Sequence, residues 1–161
     1  MMKIGVISDT HLIDTTPLLE ETVKKYFSHA DLILHAGDLT SMSVLDAFAG
    51  KEVIAVSGNC DSSQVKQMLP DKKVVEVSNF RIGLIHGWGL PFGLERKLGL
   101  HFQGIHCLVY GHSHWPTNHY NNGILYFNPG SFSRGLFSLW RRSIGLLDIE
   151  GKHIEGRIIR F

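Results

Sequence analysis

Lys3-Ile4-Gly5-Val6-Ile7-Ser8, running straight into Asp9-Thr10-His11, is the stretch on which the reading of this chain turns. It is apolar, of strand length and without helical spacing, so it reads as a buried strand that delivers a carboxylate and an imidazole at its C-terminal end. The arrangement recurs. Leu32-Ile33-Leu34-His35-Ala36-Gly37 ends in Asp38, and Val53-Ile54-Ala55-Val56-Ser57-Gly58 ends in Asn59. Farther on, Ile82-Gly83-Leu84-Ile85 ends in His86, and Leu108-Val109-Tyr110-Gly111 ends in His112-Ser113-His114. In open α/β sheets ligands bind outside the carboxyl ends of the strands. Metal-type side chains at all of these ends therefore point to one site.

The segments between them fix the fold class. Residues 17–29 carry apolar positions near helical spacing; strands at 31–36 and 52–57 follow, with shorter helices read at 43–48 between them and at 62–69 after them. Strand–helix alternation predicts a mostly parallel sheet. The pattern then changes to strands at 72–78 and 81–85 around an Asn79-Phe80 turn, a helix at 94–102 and a strand at 107–111. Strands at 124–127, 143–150 and 153–161 follow, the last two joined by a Gly151-Lys152 hairpin turn. The expected architecture is α/β, two packed sheets with helices outside, in a single domain spanning residues 1–161.

Composition narrows the function classes. The chain has 161 residues, 43% hydrophobic and 19% charged, with 16 basic and 15 acidic side chains and a net charge of +1. So even a balance provides no general field for nucleic acid or an anionic membrane. Arg134, Arg141, Arg142, Arg157 and Arg160 read as a solvated face. Cys60 and Cys107 are too few for a disulfide framework and fit a reducing compartment. The apolar N-terminus is too short for a signal peptide, and no run approaches the ~20 apolar residues of a membrane helix. A cytoplasmic location is expected.

The seven candidate metal ligands are Asp9, His11, Asp38, Asn59, His86, His112 and His114. Alternate residues of an extended segment face the same way, so Asp9 with His11, and His112 with His114, can each present a pair. Singly, each has an ordinary reading as a cap, a turn former or a satisfied histidine. Their shared topological position outweighs those readings. Seven oxygen and nitrogen donors are too many for one ion but suit two that share Asp38. Without thiolate pairs the set favours Mn, Ni, Zn, Fe or Co over structural zinc, and manganese is the first choice.

Asp9-x-His11, Gly37-Asp38, Gly58-Asn59-Cys60-Asp61, His86-Gly87 and Gly111-His112-Ser113-His114 resemble, in order, the motifs of the calcineurin-like metallophosphoesterase superfamily. The Asn-Cys-Asp form, the small size and Asn128-Pro129-Gly130-Ser131 are similar to its YfcE-like small phosphodiesterase branch. The resemblance implies a four-layer α/β/β/α sandwich and phosphodiester hydrolysis by a metal-bridging hydroxide. It also implies that Asp9, His11, Asp38 and His114 hold one ion, and Asp38, Asn59, His86 and His112 the other. Asn59, Cys60 and His86 are the catalytic candidates, and Asn59, Ser131 and Arg134 the substrate contacts. His35 is either a residue that supports the ligands or a buried structural histidine. Many superfamily members have histidine where this chain has Cys60, a poorer acid near neutral pH, which leaves protonation of the leaving group without an obvious donor. The aromatic loop from Trp88 to Phe92 could rim the substrate site, form a homo-oligomer surface or simply pack. Alternatives are a phosphomonoesterase or nuclease on the same site, and a Vps29-like protein-interaction scaffold with a vestigial metal site. The expected partner is a small phosphodiester.

Overall fold

The computed structural model describes residues 1–133 and 141–161. In chain order the strands are β1 (Met2–Ile7), β2 (Leu32–His35), β3 (Glu52–Ala55), β4 (Lys72–Val77) and β5 (Phe80–Ile85). They continue as β6 (Cys107–Tyr110), β7 (Thr117–Asn121), β8 (Ile124–Asn128), β9 (Ser143–Glu150) and β10 (His153–Arg160). The helices are α1 (Pro17–Tyr26), α2 (Ser63–Met68) and α3 (Leu94–Gly99), with a 3₁₀ segment at Met42–Phe48.

Two five-stranded mixed sheets form, ordered β10-β9-β1-β2-β3 and β4-β5-β6-β8-β7. In the first, β1, β2 and β3 are parallel and β9 returns antiparallel beside β1. In the second, β5, β6 and β8 are parallel, flanked by antiparallel β4 and β7. Side chains alternate across each strand, and the two sets of apolar residues separate accordingly. Ile4, Val6, Leu32 and Leu34 pack against Ile82, Leu84, Val109 and Phe127 in a core between the sheets. Ile7 and Ile33 face the other way, against Leu19, Val23 and Phe27 of the α1 region and Phe48 of the 3₁₀ segment. Leu108 and Tyr110 face outward beneath Leu94 and Leu98 of α3. Three cores between four layers give the α/β/β/α sandwich. Each fully buried Ile or Leu contributes roughly 1.5–3 kcal/mol, so this layering dominates stability.

Local chemistry sets the helix bounds. Thr16 caps α1 by accepting from the Leu19 N–H at 3.2 Å, Pro17 starts it, and Lys24 and Lys25 complement its C-terminal dipole. The helix stops at Tyr26, three residues short of the sequence expectation, because Phe27 turns into the core. Other expectations shift too, and α3 ends at Gly99, three residues before its expected bound. The 43–48 helix is 3₁₀ and begins at Met42. The β4–β5 turn is Ser78-Asn79, since Val77 pairs with Phe80 and Ser78 takes a positive φ of 52°. β7 has no counterpart in the sequence reading. Its Thr-Asn-His-Tyr-Asn sequence is almost entirely exposed at a sheet edge, so no apolar alternation marks it.

Candidate metal centre

The loops leaving β1 and β2 run side by side. Backbone N–H groups of Asp9, His11 and Leu12 donate to the carbonyls of Gly37, Asp38 and Leu39 at 3.0, 3.0 and 3.2 Å, extending the parallel ladder past the strand ends. These segments are not extended, as the sequence reading had assumed. Asp9, His11, Asp38, His112 and His114 all take left-handed backbone conformations, with φ of 54°, 48°, 55°, 67° and 57°. Such conformations cost non-glycine residues of order 1–3 kcal/mol each and cluster where function demands them. Repeated left-handed kinks, and not strand alternation, turn the ligand side chains inward. Close packing of the loops demands glycine twice. A Cβ on Gly111 would strike the Ser8 hydroxyl and the Asp9 carboxylate, and one on Gly58 would strike the Asp38 carboxylate.

The side chains converge. His114 Nε2 lies 3.0 Å from Asp9 Oδ1, and His11 Nε2 lies 3.7 Å from both Asp9 Oδ1 and Asp38 Oδ2. His86 Nε2 is 3.2 Å from Asp38 Oδ2 and 3.9 Å from Asp9 Oδ1. Asp9, His11 and His114 therefore make one cluster, and Asp9, Asp38 and His86 a second. Asn59 Oδ1 sits 2.9 Å from His112 Nδ1, and the His112 N–H is 3.2 Å from Asp9 Oδ2. Asp9, His11, Asp38, His86 and His114 come together in these clusters, whereas the His112 ring contacts Asn59 through Nδ1 and donates to the Gly89 carbonyl through Nε2 at 2.7 Å.

Two buried atoms show what the arrangement lacks. His86 Nδ1 donates to the Ala36 carbonyl at 2.7 Å, which turns the lone pair of Nε2 toward the two carboxylates. That Nε2 and Asp9 Oδ1 are buried yet make no hydrogen bond among the described residues, despite close neighbours. Buried polar atoms without partners are costly, and a cation between them would satisfy both. The oxygen and imidazole donor set fits divalent transition ions.

A supporting layer was not legible as such in the sequence. The Asp61 carboxylate accepts from three backbone N–H groups, those of Gly58, Asp38 and Thr40, at 2.7, 3.1 and 2.5 Å. It thus ties the β2 loop to the β3 loop. The Cys60 N–H holds Asp38 Oδ1 at 2.8 Å, leaving Oδ2 for the imidazoles. Ser8 donates to Asp9 Oδ2 at 2.5 Å. Asn128 donates to the Gly111 carbonyl at 2.9 Å. Asp61 stood in the sequence as the last residue of the Gly58-Asn59-Cys60-Asp61 motif, which does not mark it as an acceptor of backbone N–H groups. His35 is a supporting residue: Nδ1 accepts from the Gly37 N–H at 3.2 Å and Nε2 lies 3.2 Å from the Thr10 hydroxyl. Burial pushes its pKa down to about 3, so it stays neutral.

Charge is coupled across the site. Burial would raise the Asp9 carboxyl, but His11, His114 and His86 outweigh it and hold the group well below the usual carboxylate range. Asp38 is also lowered against its burial, mainly by His86. Asp9 beside His11 raises that imidazole, whereas His86 rises because the two acids outweigh its burial. Partial burial and the Asp38 charge raise the Cys60 thiol, so it is a thiol and not a thiolate at neutral pH. Ser131 is buried, with its hydroxyl 3.1 Å from the Asp9 carbonyl and 3.0 Å from that of Ser133. Arg134 lies outside the described residues.

Comparison with known proteins accords with this geometry. The sequence model of the calcineurin-like phosphoesterase superfamily domain matches residues 2–152. The chain belongs to that superfamily. A probable metallophosphoesterase of Methanocaldococcus jannaschii is 40% identical, the match covering 98% of this chain and 81% of that one. Phosphodiesterase YfcE of Escherichia coli is 32% identical over 83% of this chain and 80% of its own. The fold is shared more widely: the Zn²⁺ complex of Entamoeba histolytica Vps29 has a TM-score of 0.75 at 22% identity, covering 99% of both chains. Among the described residues no helix is long and apolar enough to cross a membrane.

Proposed function

We propose that this superfamily member is a dinuclear metal-dependent phosphodiesterase acting on a small phosphodiester. The observation that carries the reading is Asp38. One of its carboxylate oxygens is fixed by the Cys60 N–H, and the other faces His11 on one side and His86 on the other. It is placed to serve two ions at once. Asp9, His11, Asp38 and His114 would hold one, and Asp38, Asn59, His86 and His112 the other. When bound, such ions acidify coordinated water and neutralise charge on phosphoryl oxygens.

The protein groups then divide the work. The buried acids supply fixed negative charge, and His86 is held in the tautomer that offers Nε2. Asn59 is exposed at the mouth of the site; its amide donates one N–H to Cys60 Sγ at 3.2 Å and keeps a second to donate to a phosphate oxygen. The raised thiol of Cys60 is a weak acid and a poor nucleophile, so the leaving oxygen departs without a well-matched proton donor. Manganese is the first candidate among the ions. The filled ligand positions favour hydrolysis over a scaffold role, which the shared fold alone does not separate.

The test is a panel of phosphodiesters, phosphomonoesters, cyclic nucleotides and short DNA, assayed with Mn²⁺, Ni²⁺ or Zn²⁺ and with chelator. Metal-restored turnover of diesters ahead of monoesters and DNA is expected. Turnover indifferent to chelation, or confined to monoesters, would contradict the reading.

A further inference from the structure

We propose that the cleft beside Asn59 and His86 is a specificity subsite for a second anionic group carried on one arm of the diester, so that the preferred substrate is a nucleotide-sized diester with an additional phosphate. This rests on the diesterase reading and names the class of substrate within it.

The cleft has a volume of about 550 Å³, within the range of small-ligand sites. Asn59, His86 and Gly87 form the end that opens on the metal centre, and Lys66, Lys72, Trp88 and His101 form the rest of its polar and aromatic wall. Lys66 Nζ donates to the Asn59 carbonyl at 2.9 Å, and Lys72 Nζ donates to that of His101 at 3.2 Å. Each ammonium has three donors, so each keeps others for a ligand. Among the described residues neither lysine is in an ion pair. Asp71, the acid in this wall, accepts from the Ser57 hydroxyl at 3.1 Å.

The aromatic side is held in place. The Trp88 ring lies edge-on to His101 at 5.2 Å, and Lys97 sits 4.8 Å over it while also donating to the Trp88 carbonyl. A scissile phosphate at the centre and a cleft of one-nucleotide size lined by two ammonium groups, Lys66 and Lys72, against one carboxylate, Asp71, together select an arm with its own negative charge. A neutral arm would forgo the charge-assisted contacts that the lysines' remaining donors offer.

A second cleft, of about 780 Å³, is lined by Phe92, Leu100, Trp115 and Tyr126 and carries a single cation, Arg96, beside Glu95, which is paired with Tyr110 and His119.

Three substrates discriminate: thymidine 5′-(p-nitrophenyl phosphate), the same compound bearing a 3′-phosphate, and bis(p-nitrophenyl) phosphate. With Mn²⁺ at low salt, kcat/KM is expected to be about tenfold or more higher for the 3′-phosphorylated diester than for its unphosphorylated counterpart, the size of a charge-assisted contact. Lys66→Ala and Lys72→Ala should each erase several-fold of that ratio, the double variant all of it, and Lys72→Arg should retain most. Raising salt from 50 to 500 mM should compress it too. A wild-type ratio near one, or a ratio unmoved in the double variant, would overturn the inference while leaving the diesterase reading intact. No turnover of bis(p-nitrophenyl) phosphate would overturn that reading and this inference with it.

Discussion

The metal centre has a buried half and an exposed half, and they are built differently. Asp9, Asp38 and His86 are at most 2% exposed, and their polar atoms are addressed by Ser8, the Cys60 N–H and the Ala36 carbonyl. Asn59 and Cys60, one or two residues from the same glycine, face solvent. His11 and His114 lie between these extremes. A buried carboxylate is costly unless paired, so the inner half commits to cations and cannot change without losing them. The outer half is free to meet substrate and to vary in its chemistry. Substitutions should therefore have all-or-none effects inside and graded effects outside.

The sharpest break of that comparison is Asp38→Asn. Removing the negative charge shared between the two clusters should lower turnover by about 10³-fold or more and weaken retention of both ions. His119→Ala, at an exposed pair with Glu95, should do neither. Turnover and metal content measured together check this. Most of the parent activity at saturating metal would show that Asp38 is not shared.

Asn59→Ala, on the exposed side, should cost about 10²-fold in turnover through a lost phosphate donor, while the Asp9 cluster keeps its ion. Equal loss of both ions would erase the distinction between the halves.

Asp61 sits beneath both halves. Asp61→Ala leaves three backbone N–H groups without their acceptor and should lower stability by about 2–4 kcal/mol, read by denaturant unfolding. Metal affinity should fall roughly 10–100-fold, the usual effect of removing a group that orients ligands. Unchanged affinity with lowered stability would confine Asp61 to the fold.

The smallest effect belongs to Cys60. Activated aryl diesters should be cleaved much faster than alkyl diesters, and Cys60→His should narrow that gap about tenfold by supplying an acid. Cys60→Ala should keep most activity. Near-complete loss in Cys60→Ala with metal content unchanged would show that the thiol takes part in the chemistry.

The two halves also differ in how far the sequence discloses them. Strands β1, β2, β5 and β6 are largely buried, and the half-buried edge strand β3 is still apolar beyond Glu52, so their apolar runs and the polar residue ending each one are visible directly. That was enough to point to the clustered Asp9, His11, Asp38, His86 and His114. Hidden from it was the backbone that does the turning, because a left-handed φ at Asp9 or His112 leaves no trace in residue type when no glycine occupies the position. Asp61 was hidden for a related reason: its work is on backbone N–H groups, which every sequence has. β7 was missed because an exposed edge strand lacks the hydrophobic contrast on which strand assignment depends. The clefts depend on loop placement, and residues so far apart in sequence as Lys66 and His101 give no hint of sharing a wall.

The central claim is that the site holds two ions through one shared acid. Its direct measurement is elemental analysis of the purified chain after equilibration with Mn²⁺ and removal of free metal, on the parent and on Asp38→Asn. The account predicts close to two ions per chain in the parent and a loss at both positions in the variant. Less than half an ion per chain in the parent would contradict it.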